Sequence, residues 1–131
     1  MILVDTSVLI DFFKGTENAG THKFAAVLGQ QIPFGICSLI YQEVLQGAKS
    51  DQEYERLKTY LSSQRFYALR HPLESYAAAA RIYMDCRKRG VTIRSTIDCL
   101  IVQTALENDL SLLHNDSDFD AIARVLPLKI Y

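Results

Sequence analysis

Apolar and polar positions change period several times along the chain, and the changes mark its elements. Ile2-Leu3-Val4 is a continuous aliphatic run followed at once by Asp5-Thr6-Ser7, residues that cap helices. The pattern predicts a short strand, a turn, and a helix carrying Val8, Leu9, Ile10, Phe12 and Phe13, broken near Lys14-Gly15. A second helix is predicted over residues 22–29. After Pro33-Phe34-Gly35, a buried strand is expected at Gly35-Ile36-Cys37. Ser38 then caps a helix running to Gln46 and closed by Gly47. Tyr54, Leu57, Tyr60 and Leu61 recur at helical spacing in a more polar helix over about residues 51–63. Residues 65–69 alternate and read as a strand. A long helix follows Pro72, carries Ala77 to Ala80, Ile82, Tyr83 and Cys86, and ends at Arg87-Lys88-Arg89-Gly90. Ser95-Thr96-Ile97-Asp98 has the form of a capping box that opens a helix with Ile97, Leu100, Ile101 and Ala105 on one face. Residues 111–114 read as a strand, 116–124 as a turn and short helix, and 128–131 as a closing strand.

Short apolar strands alternating with helices predict an α/β fold: a single three-layer α/β/α domain over residues 1–131 with a mostly parallel central sheet. Its connections are expected to be right-handed, with helices on both faces. At 131 residues the chain has room for one domain, whose core needs no disulfide or zinc staple. A composition of 49% hydrophobic and 22% charged residues excludes disorder. The longest apolar runs, 1–4 and 77–80, are far too short for a membrane span, and no basic flank precedes Asp5 as in a signal peptide. A soluble, cytoplasmic protein is therefore expected. Cys37, Cys86 and Cys99 lack metal-ligand or redox spacing and read as buried reduced thiols. His22, His71 and His114 lie far apart, so no zinc site is indicated.

In open parallel sheets, ligands gather at the carboxyl ends of the strands. Asp5 directly follows the first strand, and Asp116 follows the 111–114 strand after only Asn115. Asp98 lies in the first turn of its helix, and Glu43 lies on the helix after the 35–37 strand. Each has a plain account: Asp5 as a cap, Asp98 as half of a capping box, Asp116 with Ser117 and Asp118 as an Asx-type turn, Glu43 as a rim residue. Capping does not explain why all four are expected at one edge. Carboxylates gathered without countercharge repel and raise one another's pKa, a cost that a divalent cation removes. With only oxygen donors available, Mg2+ or Mn2+ fits best.

Four stretches then resemble, in order, the motifs of PIN-domain proteins, at a length typical of VapC-type toxins of toxin–antitoxin pairs. They are Asp5-Thr6-Ser7-Val8-Leu9-Ile10-Asp11, Tyr41-Gln42-Glu43-Val44-Leu45 with Gly47, Thr96-Ile97-Asp98-Cys99-Leu100-Ile101-Val102 with Ala105, and Leu112-Leu113-His114-Asn115-Asp116-Ser117-Asp118-Phe119. The resemblance implies a metal-dependent endoribonuclease that cleaves cellular RNA to 5′-phosphate and 3′-hydroxyl ends and arrests growth. It implies catalytic roles for Asp5, Glu43, Asp98 and Asp116, with Asp5, Asp98 and Asp116 as metal ligands and Glu43 as a ligand or an orienter of water. Asp118 matches an additional acid. Thr6 and Ser7 match small hydroxyls near the site, and His114 a structural or substrate-side position. Asp11 is read as a cap or a solvent-facing residue.

With the four site acids set aside, 14 Lys and Arg face the remaining 11 of 15 acids, a balance of +3. Arg81, Arg87, Lys88, Arg89 and Arg94 are candidates for phosphate contact, with Arg94 nearest in sequence to Asp98. The resemblance also implies an antitoxin partner, with Ile10, Phe13, Leu39 and Ile40 as candidates for an apolar groove, and a homodimer to which the helix near 51–63 contributes. Three other readings stand beside it. A PIN-like nuclease acting in RNA processing needs no antitoxin. A magnesium-dependent phosphotransfer or phosphatase domain wants a lysine after the 111–114 strand, or a second Asp at position 7, which is Ser. An idle binding module would use the acids only as caps.

Overall fold

A computed structural model describes all residues 1–131. The chain runs β1 (Ile2–Val4), α1 (Thr6–Lys14), α2 (Ala19–Gly29), β2 (Phe34–Ile36), α3 (Ser38–Gln46), α4 (Asp51–Ser62), β3 (Arg65–Phe66), α5 (Glu74–Lys88), α6 (Thr96–Glu107), β4 (Ser111–Leu113), α7 (Ser117–Ala123) and β5 (Lys129–Ile130). The α/β class predicted from the alternation is the one observed. The strands form one sheet in the order β3-β2-β1-β4-β5, and every pairing is parallel. The central strand β1 is buried along its whole length because a parallel sheet is covered on both faces, and this is why it is written as unbroken aliphatics.

Strand order places the site. From β1 the chain first builds outward through β2 and β3, then returns to the other side of β1 to add β4 and β5. The turns leaving β1 and β4 therefore part in opposite directions and leave a crevice between them at the carboxyl edge. Asp5 stands at one side of that crevice and Asp116 at the other.

Several boundaries differ from the predicted ones for local reasons. Helix α2 starts at Ala19, because Asn18 and Thr21 form a reciprocal capping box. Ser38 is the first residue of α3 rather than its cap; Cys37 is the N-cap and makes no side-chain bond there. Strand β3 stops at Phe66, since after Tyr67 donates its N–H to the Ile36 carbonyl the chain leaves the sheet. At α6, Ser95 Oγ accepts the Ile97 N–H, but the expected reciprocal bond from Asp98 is absent. The Asp98 carboxylate is thereby left free of capping duty.

The core is one continuous apolar cluster around β1, β2 and β4 that includes all three cysteines, each free and buried. Burial pushes their thiols above the ordinary value. No helix is long and apolar enough to cross a membrane.

Candidate active site

Asp5 ends β1 and N-caps α1. Its Oδ2 accepts the Ser7 backbone N–H at 3.0 Å and the Ser7 hydroxyl at 2.6 Å. Ser7 Oγ in turn accepts the Asn115 backbone N–H at 3.0 Å, so one hydroxyl ties the turn after β1 to the loop after β4. Thr6 donates its hydroxyl to Glu43 Oε1 at 2.7 Å, joining α1 to α3 and orienting the glutamate. Both hydroxyls, expected near the site, donate to its acids.

Asp116 N-caps α7 and accepts the Asp118 N–H at 2.9 Å. Asp98, Asp116 and Asp118 each present an oxygen, and these three atoms lie within 4.8 Å of one another. Burial raises the Asp5 carboxyl above its usual range. Asp98 is pushed up to about 7, first by lost hydration and then by the charges of Asp5, Asp116, Glu43 and Asp118. The charges of four acids from three other segments of the chain therefore reach Asp98 at the crevice. An all-oxygen set of clustered carboxylates fits a hard divalent cation. The tight triad differs from the expected one: it contains Asp118 where Asp5 was expected, and Asp5 is the most deeply buried of the five.

Arg94 lies in the linker before α6. It donates from Nε to Asp118 Oδ2 at 2.9 Å, with Nη2 3.9 Å from Asp116 Oδ1, and its side chain is 73% exposed. His114 is largely buried beside α7. Its side chain is 6% exposed, Nδ1 accepts the Asp116 N–H at 3.0 Å, and Nε2 lies 3.2 Å from Asp120 Oδ1. The ring braces the first turn of α7 through these two contacts.

Asn115, to which the sequence assigned no role, and Asp11 form a further set of contacts. Asn115 donates through Nδ2 to Asp11 Oδ2 and Asn18 Oδ1, and Asp11 also accepts from Asn18 Nδ2. Asp11 is thus neither a cap nor solvent-facing. It anchors the loop that carries Asp116 to α1 and to the start of α2. The only signal available was an amide wedged between two motif residues.

Of the remaining cations, Arg81 is paired with Asp85, and the Arg87 guanidinium lies 5.6 Å from the centre of the Tyr83 ring. Ile10 and Phe13 do line a surface cavity of about 350 Å³, together with Val44 and Leu57. Ile40 has no exposure and belongs to the core, and Leu39 lines a separate depression beside Tyr67, so neither forms that groove.

Comparison with known proteins gives a consistent pattern. The profile of the PIN domain matches residues 2–125. VapC ribonuclease Mb1587 of Mycobacterium bovis is 32% identical over 130 residues, covering 98% of this chain and 96% of that protein. Ribonuclease VapC11 of Mycobacterium tuberculosis shows the same identity and coverage. Among solved structures, VapBC-1 from nontypeable Haemophilus influenzae superposes with a TM-score of 0.74 at 19% identity, covering 100% of this chain and 97% of that one. VapBC2 from Rickettsia felis, bound to a DNA fragment from its promoter, gives 0.73 at 17% identity over 100% of this chain and 98% of that one.

Proposed function

The chain belongs to the PIN domain family, and from that premise we propose that it is a Mg2+- or Mn2+-dependent endoribonuclease, the toxin of a toxin–antitoxin pair. The observation that carries the reading is the convergence of Asp5, Glu43, Asp98, Asp116 and Asp118 on one crevice, with Asp98 raised to about 7 by burial and then by the charges of the others. Such a site is electrostatically unfavourable alone and suited to a hard cation.

Asp98, Asp116 and Asp118 would hold the ion, with Asp5 beneath them. When bound, a divalent cation neutralises charge on a phosphodiester and makes a nearby water more acidic. Glu43, oriented by Thr6, has a second carboxylate oxygen free to align or deprotonate that water. Water oxygen bonds to phosphorus, the P–O3′ bond breaks, and the leaving oxygen takes up a proton. The products carry 5′-phosphate and 3′-hydroxyl ends. Ser7 holds Asp5 and the Asn115 loop in register, and this preorganisation lowers the reorganisation needed on reaching the transition state.

The antitoxin would cover the cavity formed by Ile10, Phe13, Val44 and Leu57, whose rim carries Lys14, Lys49 and Glu53 and whose apolar lining suits an apolar segment.

The test is cleavage of single-stranded RNA by purified protein in Mg2+. Asp5→Asn and Asp98→Asn should each reduce the rate about a hundredfold or more, and EDTA should abolish it. The fragments should carry 5′-phosphates, and a simple phosphate monoester should remain intact. Wild-type cleavage by Asp98→Asn overturns the assignment.

A further inference from the structure

The backbone of Arg94 is pinned from both sides. Ile93 is buried at 4% exposure, and Ser95 caps α6 through its hydroxyl. The linker from α5 to α6 therefore delivers this guanidinium to one place, over the open side of the acids. There Nε bonds to Asp118 Oδ2, and Nη2 lies within electrostatic reach of Asp116 Oδ1. Two of the three clustered carboxylates thus already have a cation from the chain itself. A guanidinium and a dication both draw on the negative charge of the same carboxylates, and each weakens the hold of the other.

Resting on the metal-dependent reading above, we infer that Arg94 is an internal counter-cation: it holds Asp116 and Asp118 together while no divalent ion is bound, and an arriving ion displaces it. The physical reason is local neutrality. Without a cation, Asp116 and Asp118 would repel within a loop and a single short helix turn. With a dication present, that role is redundant, and a guanidinium beside the ion is repelled by it. The displaced side chain is anchored at its backbone and open to solvent, so its donors stay next to the position where a phosphodiester would meet the acids. A planar fork of N–H groups is suited to that phosphate. Arg94 would therefore alternate between two anions, its own carboxylates and the phosphate of the RNA backbone. This specifies when the arginine becomes available to substrate, which sequence proximity to Asp98 did not.

The test is calorimetric titration of Mn2+ into metal-free wild type, Arg94→Met and Arg94→Lys, with thermal melts to verify folding. Arg94→Met removes the competitor and should bind Mn2+ about twofold to fivefold more tightly, as expected for loss of an exposed charge pair. Arg94→Lys keeps the charge and should stay near wild type. In a parallel nuclear magnetic resonance titration with Mg2+, the Arg94 Nε–H signal, identified by its absence from Arg94→Lys, should shift as its bond to Asp118 is lost. Equal or weaker Mn2+ binding by Arg94→Met, or an unmoved Nε–H signal at saturating Mg2+, overturns the counter-cation role and leaves the metal site standing. Absence of Mn2+ binding in all three folded proteins overturns the metal-dependent reading itself.

Discussion

Asp98 sits half-buried among four other carboxylates, and its pKa of about 7 lies well above the ordinary 3.8. The native state therefore keeps this proton over a range in which the unfolded chain has lost it. Stability from this group is full below about pH 4 and is lost as pH rises to about 7. Asp5, raised by burial, acts in the same direction. Metal-free protein should accordingly melt at a lower temperature at pH 8 than at pH 5. Asp98→Asn should shrink that difference, and Mg2+ or Mn2+ at pH 8 should restore the lost stability. A melting temperature that rises over this range in metal-free protein would contradict the account. His114 offers a second test, because its two nitrogens serve different partners. An asparagine there can keep the acceptor for the Asp116 N–H, while a glutamine reaches only toward Asp120. His114→Asn should bind Mn2+ close to wild type and His114→Gln about fivefold to tenfold more weakly, the scale of one lost buried hydrogen bond. Equal losses would show that the ring matters for packing on Phe119 rather than for the bond.

At the scale of elements, α2 touches the site although it carries no acid. Gly20, in its first turn, lies so close to Asn115 that a Cβ would overlap the amide. Only glycine permits the loop after β4 to lie against α2 while Asn115 bonds Asp11 and Asn18. Gly20→Ala should lower stability by about 1–3 kcal/mol, the usual cost of overpacking, and should slow RNA cleavage by moving the Asp116 loop. A denaturation midpoint and rate equal to wild type would count against the linkage. The elements themselves were largely legible in the sequence, because β1, α1, α5 and α6 carry strong periodicity and clear stops. What was not legible was the use of a capping residue. Ser95 and Asp98 have the spacing of a capping box, yet the serine bonds Ile97 and the aspartate points its charge elsewhere.

Across the whole molecule, α5 carries a run of exposed apolar side chains: Leu73, just before it, is 78% exposed, Tyr76 54%, Met84 37% and Tyr83 36%. Between Tyr76 and Tyr83 the face opens into a cavity floored by Ala79, Ala80, Cys99 and Leu100. A second copy packed antiparallel about Ala80 would lay its tyrosines into this cavity and bring Glu74 of each chain toward Arg87 of the other, as a two-fold contact requires. For the homodimer that the family resemblance implies, the contact expected from this face is α5 rather than the polar α4. Light scattering should give a dimer for wild type and a monomer for Tyr83→Glu, and a dimer that survives this change would place the contact elsewhere.

Local rules acting on the sequence alone settle which segments become strands and helices, and that the chain builds an α/β sheet with acids following β1 and β4. Periodicity, capping chemistry and buried aliphatic runs operate over a few residues, so they can be read along the chain. The tertiary structure decided which side chains spend their hydrogen bonds on one another. Thr6 and Ser7 donate to acids, His114 braces the start of α7, Asn115 became a tie between three segments, Ile40 went to the core, and Asp118 joined Asp98 and Asp116. Those outcomes depend on strand order and on distances between residues as far apart in sequence as Ser7 and Asn115. No local pattern carries that information.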